Sequence, residues 1–271
     1  MRAPLTKLAR PSGALAMVAV DQREALRGMF AAHQSTPVPD SQLTQFKVDV
    51  ARELSPFASA LLVDQEFGID AIIGQRALQG SCGLIAAADL LVGPAGGAAT
   101  DTAVDPDVDP IRMRDIGSVG LKFLVLWRND ESSDVRAKLV EDFNKLCQVS
   151  GLPSIIEIIV KPPTDTSRSF NREEELIIAA REAAAWKPDL YKAEVPFHGE
   201  GDLNLVTKNA ERISEAIGSP WVVLSNGVKQ PFFNDAVKAC AMGGASGFLA
   251  GRAVWADIVG SPDIPLSLIH I

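Results

Sequence analysis

The sequence is poor in the residues that form disulfides and bind metals. Its three cysteines, Cys82, Cys147 and Cys240, are far apart, and none belongs to a Cys-x-x-Cys motif. An odd number of isolated cysteines indicates reduced thiols rather than a disulfide framework or a metal site. The three histidines form no cluster with acidic residues, so metal-assisted chemistry has little support. We therefore expect no metal and no cofactor.

Long apolar runs and clustered positive charge are also missing. The first residues lack the apolar segment of a signal peptide, and no stretch approaches the roughly 20 apolar residues that a membrane span requires. The formal net charge is −8 at pH 7, which argues against nucleic acid as the main partner. The sequence therefore predicts a soluble, cytoplasmic protein that acts on a small molecule, without a membrane or nucleic-acid partner.

What the sequence does contain is a repeated alternation of short apolar segments and helical patterns. Eight segments are typical of strands, namely residues 13–23, 58–63, 83–88, 120–127, 154–160, 189–196, 221–227 and 245–252. Eight strands with mostly helical connections predict a (β/α)8 barrel, here a single domain over residues 1–271. The alternative, a doubly wound sheet, lacks a Gly-rich nucleotide motif after any strand.

One long segment stands apart from this alternation. Residues 93–110 are rich in glycine, alanine, aspartate and proline. This composition predicts an irregular surface loop over one face of the fold, and a lid or substrate loop is the alternative.

Charged residues interrupt or follow several of the predicted strands. Lys122 and Glu157 each stand among apolar residues, and Asp21 ends the first strand. Buried charges are rare unless they are paired or functional. Lys192 and Glu194 share one face of a strand because side chains alternate with a period of two. A routine exposed ion pair is the alternative for them, but in α/β barrels the carboxyl ends of the strands hold the chemistry.

The ends of the last two predicted strands have the composition of an anion site. Ser225-Asn226-Gly227 offers a hydroxyl and a turn with free amides, and Gly251-Arg252 places amides and a guanidinium where a helix begins. The loops after strands seven and eight of barrels often hold phosphate. The alternative is that the glycines serve only turns and the arginine only the surface.

Six ordered segments carry a resemblance to a known family. AMVAVDQREALRGMF, ASALLVDQEFG, KFLVLWRNDE, GLPSIIE, DLYKAEVP and GASGFLAGRAVWA closely resemble the sulfofructosephosphate aldolases of bacterial sulfoglycolysis and, more loosely, the class I tagatose-1,6-bisphosphate aldolases. The resemblance covers nearly the whole chain. It implies that Lys192 forms a Schiff base, that Asp21, Gln22, Lys122 and Glu157 line the active site, and that Ser225 and Arg252 hold an anionic group of the substrate. We add Glu194, Asn226, Gly227 and Gly251 to the predicted substrate-binding residues.

The chain departs from these families in two places. The families have Ser-Ser-Gly where this chain has Ser225-Asn226-Gly227, and Asn226 can still donate a hydrogen bond. The families also continue into a further carboxyl-terminal helix. Residues 267–271 are therefore expected to be a truncated or non-native tail.

The implied reaction is a retro-aldol cleavage through covalent catalysis, without a metal. Lys192 attacks the ketose carbonyl as a neutral amine, which the nearby cation of Lys122 favours, and Glu157 accepts the C4 hydroxyl proton, with Glu194 or Asp21 as alternatives. The resemblance implies 6-deoxy-6-sulfofructose 1-phosphate as substrate, dihydroxyacetone phosphate and sulfolactaldehyde as products, and a homo-oligomer. The alternatives are a tagatose-1,6-bisphosphate-type or other ketose-phosphate class I aldolase, and a non-catalytic sugar-phosphate-binding barrel.

Overall fold

A closed barrel of eight parallel strands is the centre of the structure, a computed structural model that describes residues 4–269. The barrel strands are β1 (Leu15–Ala19), β2 (Ala60–Val63), β3 (Gly83–Ala87), β6 (Ser118–Trp127), β7 (Ser154–Val160), β8 (Leu190–Glu194), β9 (Trp221–Leu224) and β10 (Gly247–Ala250). Neighbours in this order pair in parallel, and β10 pairs with β1 to close the barrel. The predicted (β/α)8 barrel is therefore confirmed.

Helices follow most of the barrel strands. They are α1 (Glu24–Ala31), α2 (Asp40–Leu54), α3 (Asp70–Gly74), α4 (Pro110–Asp115), α5 (Ser133–Ser150), α6 (Arg172–Trp186), α7 (Leu203–Ile217), α8 (Gln230–Met242), α9 (Arg252–Trp255) and α10 (Ile264–Ile269). The long helices α5, α6 and α7 begin at residues whose side chains cap them. The Ser132 hydroxyl accepts from the amide of Asp134 at the start of α5, and Gly151 ends that helix with a φ of 73°. None of the helices formed by residues 4–269 combines the length and apolar character that a membrane crossing requires.

The barrel interior has an apolar amino-terminal half. Alternate residues of the strands point inward and form one buried cluster, which includes Leu15, Met17, Leu62, Ile155, Leu190, Val222 and Leu249. Leu8, from a short 3-10 helix that precedes β1, joins the same cluster. Because the outer face of the strands is covered by helices, most strand residues are apolar on both faces. The inward-facing polar residues are left for the carboxyl-terminal half.

The prediction of an irregular loop over residues 93–110 holds for residues 93–100 and 105–109 but is wrong for the rest of the segment. Asp101–Val104 forms strand β5, which pairs in antiparallel fashion with β4 (Asp89–Val92), and α4 begins at Pro110. Only residues 93–100 connect the two strands of this hairpin. The composition hid the hairpin because four-residue strands are too short for a clear alternation of apolar and polar residues. At the other end of the chain, residues 267–269 belong to α10, and residues 270–271 of the predicted tail lie outside the described residues.

Candidate active site

A pocket opens at the carboxyl-terminal end of the barrel strands. The predicted site residues that line it are Asp21, Gln22, Lys122, Glu157, Lys192, Ser225, Asn226, Gly251 and Arg252. They come from the interior of β6, β7 and β8 and from the turns that follow β1, β9 and β10. Parallel strands of a closed barrel bring these positions to one rim. Residues more than 200 positions apart in the sequence thus share one cavity.

Two buried lysines converge on one oxygen of Glu157. The Oε2 atom of Glu157 lies 3.0 Å from the Nζ of Lys192 and 2.9 Å from the Nζ of Lys122. Glu157 and Lys192 are direct partners in the register of β7 and β8, which brings their side chains together. Both lysines are almost fully buried, with relative exposures of 2% for Lys122 and 1% for Lys192. The pocket therefore contains an amine and a carboxylate within proton-transfer distance.

Lys122 has two further carboxylate partners. Its Nζ lies 2.8 Å from Oδ2 of Asp21 and 2.9 Å from Oδ2 of Asp89. Burial alone would lower the pKa of Lys122, but the charges of Asp21, Asp89 and Glu157 outweigh burial and raise this pKa well above its ordinary value. The pKa of Asp21 moves in the opposite direction. Burial would raise it, but the charges of Lys122 and Lys192 lower it well below its ordinary value. Lys122 thus carries a fixed positive charge.

Asp89 is a site residue that the sequence reasoning missed. It is fully buried at the start of β4, directly beyond β3, where it also accepts from the amide of Leu124 at 3.0 Å and lies 3.4 Å from Nη2 of Arg23. The signal that selected Asp21, an aspartate directly after an apolar strand, is equally present at Asp89. Placing both residues in the site requires the order of the strands around the barrel, in which β1 and β3 lie on either side of β2.

At the side of the pocket predicted to bind an anion, Asn226 joins two charged residues. Its Nδ2 donates to Oε1 of Glu194 at 2.9 Å, and its Oδ1 accepts from Nη2 of Arg252 at 2.5 Å. An amide side chain has a donor end and an acceptor end, so it can bind a carboxylate and a guanidinium at once. The hydroxyl of Ser225 accepts from the amide of Gly251 at 3.2 Å. These contacts hold the guanidinium of Arg252 at the rim.

Glu194 and Gly227 are not among the residues that line the pocket. Glu194 is 2% exposed, and its Oε2 accepts from the amide of Val160 at 2.8 Å. Its other oxygen accepts from Asn226, so Glu194 holds a residue that lines the pocket without lining it itself. Gly227 has a φ of 75°, and a Cβ there would lie 2.5 Å from Nδ1 of His198. A side chain would therefore be strained at this turn.

The pocket also has walls that were not predicted as site residues. Leu91, Ala98 and Ala99 come from the β4–β5 hairpin, so part of the 93–110 segment does contribute to the site. Lys161, the first residue after β7, adds a further cation. Its position directly after an apolar strand is a signal that sequence analysis could have used. In the part of the chain that the structure describes, no three His, Cys, Asp or Glu side chains are grouped so that they could hold a metal ion.

Comparison with known proteins identifies the family. Residues 15–257 match the model of the DeoC/LacD family aldolases. The chain belongs to this family. Tagatose 1,6-diphosphate aldolase 2 of Streptococcus pyogenes is 30% identical over 91% of this chain and 82% of that protein. A tagatose 1,6-diphosphate aldolase of Staphylococcus epidermidis is 27% identical over 94% of this chain and 85% of its own length.

Solved structures with lower identity share the fold of this DeoC/LacD family aldolase. A fructose-bisphosphate aldolase from Slackia heliotrinireducens superposes with a TM-score of 0.66 at 18% identity, over 95% of this chain and 86% of that one. An archaeal fructose 1,6-bisphosphate aldolase gives 0.62 at 14% identity, over 98% and 95% of the two chains. Family membership makes the protein a class I aldolase, a carbon–carbon lyase, as the sequence predicted.

Proposed function

We propose that this class I aldolase cleaves a ketose 1-phosphate that carries a second acid group at C6, through a Schiff base on Lys192. The observation that carries the proposal is the contact of Lys192 with Glu157 inside the barrel mouth, 3.0 Å between Nζ and Oε2. A buried amine with a single carboxylate beside it has a proton acceptor for its activation and, once the imine has formed, a base for the next step.

Lys192 acts first, as the nucleophile. Its ammonium gives a proton to Glu157, and the free amine adds to the C2 carbonyl of the ketose. Glu157 returns this proton to the carbinolamine hydroxyl, which leaves as water, so that a protonated imine forms and Glu157 is a carboxylate again. The ammonium of Lys122 lies 2.9 Å from the same oxygen of Glu157. Its positive charge compensates the negative charge of Glu157 whenever this carboxylate is deprotonated.

Carbon–carbon cleavage follows on the imine. Glu157 takes the proton of the C4 hydroxyl, the C3–C4 bond breaks, and its electron pair moves to C3 and the imine nitrogen. The aldehyde product leaves, and an enamine remains on Lys192. Protonation at C3 and hydrolysis of the imine release dihydroxyacetone phosphate and restore the free lysine. Asp21 takes part through Lys122, to which it is bonded at 2.8 Å.

The rim residues hold the anionic ends of the substrate in this proposal. Arg252, with Ser225 and Asn226, binds one acid group, and charge-assisted contacts of this kind are strong. Gln22 and Gly251 line the same side of the pocket, and Gly251 leaves room because a Cβ there would lie 2.8 Å from the carbonyl oxygen of Ala19. Lys161 also lines the pocket, and like Arg252 it has no contact with the carboxylates that surround Lys122. We propose that Lys161 faces the second acid group of the substrate.

The first candidate substrate is 6-deoxy-6-sulfofructose 1-phosphate, which would yield sulfolactaldehyde as the aldehyde product. It is supported by the resemblance of the six sequence motifs to sulfofructosephosphate aldolases. A second candidate, tagatose 1,6-bisphosphate, is supported by the names of the Streptococcus and Staphylococcus relatives. The two differ at C6, where a sulfonate carries one negative charge and a phosphate up to two.

A substrate panel tests this proposal. We would measure kcat/KM for 6-deoxy-6-sulfofructose 1-phosphate, tagatose 1,6-bisphosphate and fructose 1,6-bisphosphate with wild type and with Arg252→Ala. We expect the sulfosugar to be preferred in wild type, and Arg252→Ala to raise KM for all three because it removes binding rather than the nucleophile. A tenfold preference for a bisphosphate would reject the sulfosugar and select the second candidate. Unchanged kinetics in Arg252→Ala would remove Arg252 from the anion site.

A further inference from the structure

Lys47 of α2 is a buried lysine that does not line the pocket. Its relative exposure is 0%, and its Nζ donates to the carbonyl oxygens of Val20 at 2.6 Å and Gln22 at 2.7 Å. The same Nζ pairs with the carboxylate of Asp64. A lysine ammonium has three N–H donors, and all three are used here. A charge this deep in the protein is retained only because every one of its donors has a partner.

The two carbonyls belong to the residues on either side of Asp21. β1 ends at Ala19, and the amide of Val20 makes a further bond to the carbonyl of Leu62 at 2.8 Å. Beyond that point, the backbone that carries Asp21 and Gln22 has left the strand. Lys47 therefore fixes both flanking peptide groups from the outside of the barrel.

The anchor is itself fixed to the neighbouring strand end. Asp64 directly follows β2, and its Oδ2 accepts from the amide of Phe67 at 2.8 Å while Oδ1 holds Lys47. Lys47 thus ties the end of β1 to the end of β2. Asp21, in turn, reaches Lys122 at 2.8 Å, and Lys122 reaches Glu157 at 2.9 Å.

We propose that Lys47 is a positioning residue for carbon–carbon cleavage. It holds the backbone of residues 20–22, and the Asp21 carboxylate of this segment then keeps the Lys122 ammonium beside Glu157. The inference rests on the proposed roles of Lys192 and Glu157. A displacement of about 1 Å in a reacting group can lower a rate about 100-fold. Imine formation uses Lys192 and its direct contact with Glu157, which the register of β7 and β8 holds without Lys47, so the larger loss should fall on the cleavage step.

A purely structural role for Lys47 makes a different prediction. In that case its loss would lower the melting temperature and leave kcat of the folded enzyme unchanged. The test is the double variant Lys47→Met/Asp64→Asn, which removes the three donor contacts without leaving a charged carboxylate unpaired. Asp64→Asn alone keeps Lys47 and its two carbonyl bonds, and the asparagine oxygen still accepts, so it is the conservative comparison.

A matched control is the ion pair of Arg136 and Glu182, which joins α5 to α6 with Nε–Oε1 and Nη2–Oε2 distances of 2.8 Å. Arg136→Met/Glu182→Gln removes a comparable charged contact away from the pocket. For each variant, the measurements are the melting temperature, kcat and KM, and the yield of borohydride-trapped imine on Lys192 with dihydroxyacetone phosphate.

We expect the Lys47→Met/Asp64→Asn enzyme to form the trapped imine within about twofold of wild type, with kcat lowered about 10- to 100-fold and KM changed less than about threefold. Asp64→Asn and the control pair should keep kcat within about threefold.

A folded double variant with kcat within twofold of wild type overturns the proposal, as does an equal loss in imine yield and kcat. If the double variant does not fold, Lys47→Gln receives the same measurements and the same criteria. Lys192→Ala, measured alongside, separates the two claims, because activity in that variant rejects the proposed function itself.

Discussion

Two lysines contact the same oxygen of Glu157, but the two sides of this carboxylate differ. On one side, Lys122 is also bonded to Asp21 and Asp89, so three carboxylates surround one ammonium. On the other side, Glu157 is the one carboxylate within 4.0 Å of the Lys192 amine among the described residues. This difference in carboxylate partners gives the two lysines different roles. An amine bonded to three carboxylates stays charged, whereas an amine with a single carboxylate can transfer its proton and attack a carbonyl.

The barrel explains why the two lysines differ. Lys122 lies on β6, next to β3, and the residues beyond β1 and β3 reach it across the mouth. Lys192 lies on β8, between β7 and β9, where the neighbouring register positions are Glu157 and Val222. One neighbour is an acid and the other is apolar. Charge neutralisation is therefore concentrated on one half of the rim.

The sharpest test of this comparison is the identity of the nucleophile. Lys192→Ala should lower kcat by about 10⁴-fold or more, because removal of a covalent nucleophile leaves only the residual contribution of binding. Borohydride reduction in the presence of dihydroxyacetone phosphate should label wild type on Lys192 alone, read out by peptide mass mapping. An adduct on Lys122 would reverse the assignment of the two lysines.

The second prediction concerns stability. Lys122→Met should lower the free energy of unfolding by about 3–5 kcal/mol, because it leaves buried carboxylates without their cation. Lys192→Met should cost clearly less, since Glu157 keeps its contact with Lys122. Urea unfolding of both variants at pH 7 measures the difference. If both variants lost the same free energy of unfolding, the number of carboxylate partners would not determine how much each lysine stabilises the fold.

The third prediction concerns the shared carboxylate. Glu157→Gln should still form the imine on Lys192, though more slowly because the amide cannot take the ammonium proton, and should lower carbon–carbon cleavage by about 10²–10⁴-fold because it cannot accept the C4 hydroxyl proton. Rapid-quench measurements separate the two steps. Cleavage within a few-fold of wild type would assign the base to another residue, with Asp21, which contacts Lys122 and lines the pocket, as the next candidate.

The sequence predicted the barrel and most of the pocket because both follow from local patterns. The strands were recognised as apolar segments, and the candidate residues as charges inside such a segment, which selected Lys122, Glu157 and Lys192, or directly after one, which selected Asp21. Contacts across the barrel do not follow from such patterns. That Asp89 and Asp21 share Lys122 depends on the order of the strands around the barrel, and that Lys47 holds the backbone around Asp21 depends on the position of α2 beside the ends of β1 and β2.

The sequence could not predict whether the Glu194 carboxylate contacts the substrate or other residues of the protein. The period of two predicted that Lys192 and Glu194 share one face of β8, and both side chains are buried. Whether an inward carboxylate meets substrate or protein depends on its neighbours. Here the amide of Val160 and the side chain of Asn226 occupy both of its oxygens.

The smallest expected effect is a pH dependence of stability on the Lys122 side. Asp21 has a pKa below its ordinary value of 3.8, because the charges of Lys122 and Lys192 outweigh the opposing effect of burial. The stability that Asp21 contributes is therefore complete above about pH 4 and is lost as the pH falls below that value, where the unfolded chain binds a proton that the folded chain does not. The contribution of Lys122, whose pKa is raised above 10.5, is lost only in strongly alkaline solution.

Between pH 4.5 and 3.0, wild type should lose about 1 kcal/mol more of its free energy of unfolding than Asp21→Asn, since one carboxylate changes stability by at most about 1.4 kcal/mol per pH unit. Urea titrations at 0.5-unit steps, roughly four pH values, are sufficient to measure this difference. Asp257→Asn, at an exposed aspartate that follows α9, controls for the general effect of removing one carboxylate and should show the same slope as wild type. Parallel curves for wild type and Asp21→Asn would show that Asp21 gains nothing from Lys122 on folding. The carboxylates around Lys122 would then be neutralised as a group rather than through the 2.8 Å contact.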